Sequence, residues 1–301
     1  MDELGFRSSD GIDVSYRRWQ AEGEPKAAVL VAHGMSEHSG RYQRLANALT
    51  AAGYAVYAPD HRGHGRTSAS TGVGRIGPAG VDGILDDLEQ LREVAAGEVG
   101  GRPVLLFGHS MGALLSQAYA ERDGAKLAGL ALSGSPGVAD ELAVLAEAMR
   151  QAADGGMGDE PAAGSLSMLN ERFEPARTPY DWLSRDPAEV DAYIADPYCG
   201  DQHPMTYGFL AAFMTSIVDT MQPDAIRRIP PALPIVLLTG EEDAASNHGA
   251  GVRELEKRMR DAGLSVEALW YAGARHEILN ETNRDEVTAD LLAWFDRVVS
   301  A

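Results

Sequence analysis

The sequence predicts an α/β domain: a mostly parallel, twisted sheet flanked by helices, with a helical insertion late in the chain. Three observations carry this. Short apolar runs such as "AAVLVAHG", "YAVYAPD" and "PVLLFGH" alternate with longer amphipathic stretches, and that alternation specifies βαβ units. The runs are continuously apolar, as strands buried on both faces are. The alternation then stops between Ser135 and about Pro234, a gap too long for a structureless loop in a compact domain.

The elements follow in order. "ELGFRS" and "IDVSYRRW" flank Ser9-Asp10-Gly11, and Asp-Gly between two such runs marks a hairpin. "AAVLVAHG" is the next strand. "RYQRLANALTAAG" has helical spacing and stops at Gly53, a residue suited to a helix C-terminus. "YAVYAPD" is a strand, and "GVDGILDDLEQLREVAAGEV" places its charges opposite its apolar face, as a surface helix does. "PVLLFGH", the helix "MGALLSQAYAER" and the strand "LAGLALSG" follow. After the gap come the strand "PIVLLTG", the helix "GVRELEKRMRDAG", the strand "SVEALWYAG" and the helix "RDEVTADLLAWFDRVV". The gap holds helical pieces, "DELAVLAEAMRQAA" and "MTYGFLAAFMTSIVDTM", and a stretch that reads as flexible, "ADGGMGDEPAAGS". The expected division is a core of residues 1–134 and 235–301, with residues 135–234 as an insertion over one edge of the sheet.

Composition narrows the partners. Of the 301 residues 45% are apolar, enough for a large core, and the formal net charge is −19. Such a surface repels nucleic acid and anionic membranes. Cys199 is the single cysteine, so neither an intrachain disulfide nor a Cys-rich zinc site is expected. The start, "MDELGFRSSDG", has no basic-then-apolar leader pattern. No run approaches the roughly 18 apolar residues of a membrane helix. A cytoplasmic location is expected, with a small molecule as partner and at most transient contact with a lipid surface. "GRIGPAG" and "GVGRIG" follow no strand and lack the phosphate-loop Lys, so no metal and no cofactor is expected.

In an open α/β sheet, sites form at the C-terminal ends of the strands. "GHSMG" puts Ser110 between Gly108 and Gly112 where a strand meets a helix. Small neighbours let strand and helix approach closely around a strained residue, which aims its hydroxyl outward. Asp243 follows "IVLLTG", and His276 follows "ALWYAGA". The order Ser, Asp, His with Gly-x-Ser-x-Gly at such a turn is a nucleophile-elbow pattern. Ser110 would be the nucleophile and His276 its base, near the usual imidazole value of about 6.5. Asp243 would hold the imidazole tautomer, so that an isosteric Asn would trap the wrong one. The backbone N–H groups of Met111 and Met35 are the candidate oxyanion donors.

Alternatives stand beside these. Glu241 and Glu242 neighbour Asp243, and His248 competes with His276 but opens a helix, which suits a surface role. His33, His61 and His64 read as hydrogen-bonded residues of strand-end loops, His109 as lining the elbow, and Cys199 as a partly buried small residue. The insertion is rich in Met149, Met157, Met168, Met205, Met214 and Met221, with Phe173, Trp182, Tyr193, Tyr207, Phe209 and Phe213. Methionine adapts to irregular apolar partners, so an acyl chain would fit beneath it.

"HGMSEHSGRY", "PDHRGHGRT", "GHSMG", "GEED" and "ARHEILNE" together resemble the monoacylglycerol lipase and lysophospholipase branch of the α/β-hydrolases. The resemblance spans the whole core. It implies the α/β-hydrolase fold, a triad of Ser110, Asp243 and His276, oxyanion N–H groups on Met35 and Met111, and an insertion acting as a lid. It implies a serine hydrolase of acyl esters of glycerol or a similar alcohol. A lysophospholipase, a short-chain carboxylesterase, or an amidase or peptidase of the same fold are the alternatives.

Overall fold

The computed structural model of the chain describes residues 1–138, 141–162, 164 and 166–300. Its strands form one sheet in the order β1-β2-β4-β3-β5-β6-β7-β8. β1 (Asp2–Arg7) and β2 (Asp13–Trp19) are the hairpin that Asp10-Gly11 announces, with Phe6 opposite Val14. β2 runs antiparallel to β4 (Tyr54–Pro59). From β4 onward the sheet is parallel, through β3 (Ala27–Ala32), β5 (Val104–His109), β6 (Gly129–Ser133), β7 (Ile235–Gly240) and β8 (Val266–Tyr271). Every residue of β3 to β7 is buried, whereas β8, at the edge, is mostly half-buried. Continuous apolar runs and full burial are thus the same fact seen twice.

Helices cover both faces. α1 (Gln43–Ala51) and α8 (Arg284–Ser300) close one layer, where Leu49, Tyr54, Phe107 and Trp294 pack. α2 (Gly80–Glu98), α3 (Met111–Asp123) and α7 (Ala250–Asp261) close the other. The chain turns from β3 outward to β4 and then returns to β5 on the other side of β3. The loops after β3 and β5 therefore flank the crevice where the strand order reverses, which is where such sheets hold ligands.

Between β6 and β7 lie α4 (Glu141–Ala152), α5 (Pro187–Ala195) and α6 (Tyr207–Thr220). Thr206 caps α6, its side chain accepting from the N–H of Phe209 at 3.1 Å. Phe209, Leu210, Phe213 and Ile217 of α6 sink into the same apolar layer as α2 and α3. Asp186 caps α5, with Pro187 in its first turn. Trp182, Leu183, Tyr193 and Cys199 form a small separate cluster. Part of the stretch expected to be flexible is ordered: Ala153–Met157 is a helical turn broken at Gly156 (φ 99°), and Pro161 bridges to Thr206. Residues 163 and 165 of it lie outside the described residues. Among the described residues no helix is long and apolar enough to cross a membrane.

Candidate active site

Ser110 follows β5 directly and has φ 53° and ψ −118°, a conformation that costs a non-glycine residue about 1–3 kcal/mol. The surroundings hold it there. Its N–H donates to Ser133 O at 3.0 Å, and its own carbonyl accepts from Ala113 and Leu114 at 2.9 and 3.2 Å. A Cβ on Gly108 would lie 2.3 Å from Gly112 O, and one on Gly112 would lie 2.1 Å from Ala32 O. No larger residue fits at either position, so the two glycines are what allow β5 and α3 to meet around a strained serine.

Asp243 sits past the end of β7 and is fully buried. Its Oδ1 accepts from the N–H of Ala245 and from Nδ1 of His276, both at 2.9 Å. Its carbonyl accepts from His248 N at 2.8 Å and Ser246 Oγ at 3.1 Å, within a turn where Asn247 and His248 are left-handed. A carboxylate only accepts, so Nδ1 of His276 carries the proton and Nε2 keeps its lone pair. Asp243 Oδ2 is buried without a partner. Glu241 and Glu242 are exposed; Glu242 pairs with His248 at 3.1 Å.

Burial alone would lower the pKa of His276, but the charge and hydrogen bond of Asp243 outweigh it, aided by Glu277 and Glu37. The net direction is upward, not the ordinary imidazole value expected from sequence. His109 lies with its ring 4.8 Å from that of His276. Burial and then the charge of His276 hold it down to about 4, so it is neutral at neutral pH.

Ser110, His276, Met35 and Met111 line one cavity of about 790 Å³. Among the described residues no hydrogen bond joins Ser110 Oγ to His276; such bonds are often long in unliganded enzymes. Gly34 brings the Met35 loop against Ser110, since a Cβ there would lie 3.3 Å from that of Ser110. Apart from Glu37, His109, Asn247 and Glu277, the rest of the wall is mostly apolar and comes largely from residues 136–217. Met149, Met168, Trp182, Tyr193, Phe213 and Met214 of the insertion contribute to it. Met205, Phe209 and Met221 are instead buried in packing.

A buried ionic network lies beneath. Arg41 donates to both oxygens of Glu277, at 2.5 and 2.8 Å, and to Glu37 at 2.8 Å. Glu37 accepts from Gly34 N at 2.5 Å and Tyr42 OH at 2.7 Å. Burial would raise both carboxyls, but Arg41 holds both below the ordinary range. The guanidinium also lies over the ring of Tyr193, whose OH donates to Ser36 O at 2.9 Å. The loops carrying Met35 and His276 and the insertion thus meet at one cation. Sequence reading missed Arg41, Glu37 and Glu277, although Glu37 and Arg41 stand inside the quoted "HGMSEHSGRY"; Tyr193 was among the insertion aromatics but not tied to a cation.

The other histidines fall close to expectation. His33 donates to Gly34 O at 2.7 Å and accepts from His61 N at 2.9 Å. His64 donates to Arg62 O at 2.9 Å. His61 and His64 each leave a buried Nε2 without a partner, so they are less fully bonded than expected. Cys199 is fully buried rather than partly so. It comes within reach of His38 and Asp196, a grouping that could hold a metal by type. However, His38 Nδ1 accepts from Gly40 N at 3.2 Å, so its Nε2 carries the proton and donates to Asp196 at 2.9 Å. That imidazole has no free lone pair for an ion.

Residues 23–283 match the family model described as serine aminopeptidase, S33. A monoacylglycerol lipase of Mycolicibacterium smegmatis is 29% identical over 97% of this chain and 96% of its own length. A monoglyceride lipase of Rattus norvegicus is 30% identical over 97% of this chain and 88% of its own. Among solved structures, a thermostable carboxyl esterase from Bacillus coagulans in complex with glycerol superposes with a TM-score of 0.90 at 30% identity, covering 99% of this chain and 98% of that one.

Proposed function

The chain belongs to the S33 serine aminopeptidase family of α/β-hydrolases and is a serine ester hydrolase; from that premise we propose that it cleaves monoacyl esters of glycerol or a similar neutral alcohol. The observation that carries this is the largely apolar cavity of about 790 Å³ that Ser110 lines. Each acyl CH₂ buried there adds about 0.8 kcal/mol of binding. The charged side chains on its described wall are Glu37 and Glu277, with no Lys or Arg. An uncharged head group meets no repulsion there, and an anionic one does. The relatives named lipases for monoacylglycerol or monoglyceride support the same class.

In this reading His276 Nε2 takes the proton of Ser110 as Oγ attacks the ester carbonyl. The N–H groups of Met35 and Met111 stabilise the oxyanion, each such donor typically supplying about 3–4 kcal/mol. His276 then returns the proton to the departing alcohol, leaving an acyl ester on Ser110. Water, deprotonated by the same imidazole, releases the fatty acid. Residues 135–234 act as a lid over a core of residues 1–134 and 235–301. Val144 and Met168, 74% and 59% exposed at the cavity wall, would give transient contact with a lipid surface.

The test is kcat/KM over neutral 1-monoacylglycerols of rising chain length, anionic lysolipids of equal length, and aminoacyl anilides, with Ser110→Ala as control. Rising values with chain length until the cavity is full, and neutral over anionic substrates, are expected. Preference for acetate esters would leave a short-chain carboxylesterase. Faster lysolipid turnover would leave a lysophospholipase, and faster anilide turnover a peptidase. Ser110→Ala keeping more than about a hundredth of activity would move the nucleophile.

A further inference from the structure

The loop that carries His276 follows β8, an edge strand, and on one side Glu242 N donates to Ala274 O at 2.9 Å. The insertion bonds it too, through the helical turn Asp181–Leu183 and Ser184. His276 N donates to Trp182 O at 3.4 Å and Glu277 N donates to Leu183 O at 2.8 Å. The Trp182 and His276 rings lie 4.9 Å apart. Ser184 Oγ donates to Asn280 O at 2.8 Å.

Glu281 closes this contact. It is fully buried, and each of its oxygens accepts at least two bonds. Oε1 takes the N–H of Arg275 at 2.9 Å and that of Arg185 at 3.0 Å. Oε2 takes Nε of Arg185 and the N–H of Thr282, both at 2.8 Å. One oxygen therefore holds both the residue before His276 and a residue of the insertion.

We propose that Glu281 is a positioning residue for His276, which it serves by fastening insertion residues 181–186 to the loop bearing the imidazole. This rests on the reading of His276 as the base. Its carboxylate touches neither Ser110 nor the described cavity wall, so it acts through the backbone on either side of that histidine. Proton transfer is steep in geometry: a misplacement of about 1 Å costs on the order of 10²-fold in rate. A glutamine cannot replace the carboxylate, because both oxygens face N–H donors and its NH₂ must oppose one pair of them.

The experiment compares wild type, Glu281→Gln, Arg185→Lys and His276→Ala. Urea unfolding checks the fold, steady-state kinetics on one soluble monoester gives kcat and KM, and proton NMR follows the low-field His276 Nδ1–H resonance. Glu281→Gln is expected to lose roughly 10–100-fold in kcat with KM within about threefold of wild type, and to move or broaden that resonance. Arg185→Lys keeps the charge but loses the Nε–H bond. It should unfold like wild type, lose about 3–10-fold in kcat and move the same resonance. His276→Ala should be inactive; if it is not, the reading of the base fails whatever Glu281 does. If it is inactive while a folded Glu281→Gln keeps wild-type kcat and resonance, the positioning role alone is overturned. Should Glu281→Gln not fold, Arg185→Lys decides: wild-type kcat and an unmoved resonance there overturn the proposal.

Discussion

Arg41 meets Glu277 through two parallel bonds of 2.5 and 2.8 Å, although 236 positions separate them. A guanidinium can grip a carboxylate this way and an ammonium cannot. The pair is nearly closed to water, with side-chain exposures of 11% and 6%. Removing the cation would strand Glu277 and Glu37 as buried charges. Arg41→Met should therefore lose about 3–5 kcal/mol of stability, read by urea unfolding, and adding Glu277→Gln should recover part of it. A loss under about 1 kcal/mol would show that water already reaches the network.

With His276 as the proposed base, the pH dependence of turnover follows from it. Asp243 raises its pKa against the opposing effect of burial. A base works only when neutral, so kcat/KM for an uncharged ester should rise with pH through one step centred above 6.5. A midpoint at or below 6.5, or a flat profile from pH 5 to 8, contradicts the assignment.

Asp243→Asn is informative because Oδ1 alone carries both side-chain bonds and Oδ2 has none. An Asn can keep its oxygen toward Ala245 and His276 and turn its NH₂ into the vacant position. The imidazole tautomer then survives, which revises the expectation of a tautomer trap. What is lost is the negative charge. Activity should fall by less than the roughly 10⁴-fold of a trapped tautomer, and the pH midpoint should move down. Glu241→Gln and Glu242→Gln, at exposed positions, should stay near wild type. A larger loss at either would relocate the acid.

Acid should unfold the protein earlier than its carboxylates alone would dictate. Burial lowers the pKa of His33, His61 and His203, takes His64 to about 3 and, with His276, His109 to about 4. A depressed imidazole binds its proton in the unfolded chain first, so its stabilisation holds above 6.5 and drains as pH falls toward those values. His276 and Glu121, both raised, act in the opposite sense but are outnumbered. Unfolding free energy should drop between pH 6.5 and 5, where ordinary carboxylates barely titrate. A rise over that interval would refute it.

The core was legible because buried parallel strands write themselves as continuous apolar runs, and each run became a strand within a residue or two. The elbow was legible because Gly108 and Gly112 leave a pattern along the chain. Arg41 with Glu277, and Arg185 with Glu281, were not. Charged residues far apart in sequence look like solvated surface until folding brings them together, and periodicity carries no record of such pairing. The upward shift of His276 was hidden for the same reason: it comes from Asp243, Glu277 and Glu37, which lie on three separate loops.

The insertion between β6 and β7 also divides the site in time. Ser110 precedes it, and Asp243 and His276 follow it. A ribosome adding about 5–20 residues per second takes many seconds to pass from the serine to the histidine. β3, β4, β5 and β6 can pair during that interval, with the elbow already formed but Asp243 and His276 not yet made. On the proposed triad, the nascent chain lacks its base until β8 and the loop after it have been made, so hydrolysis waits for the far edge of the sheet.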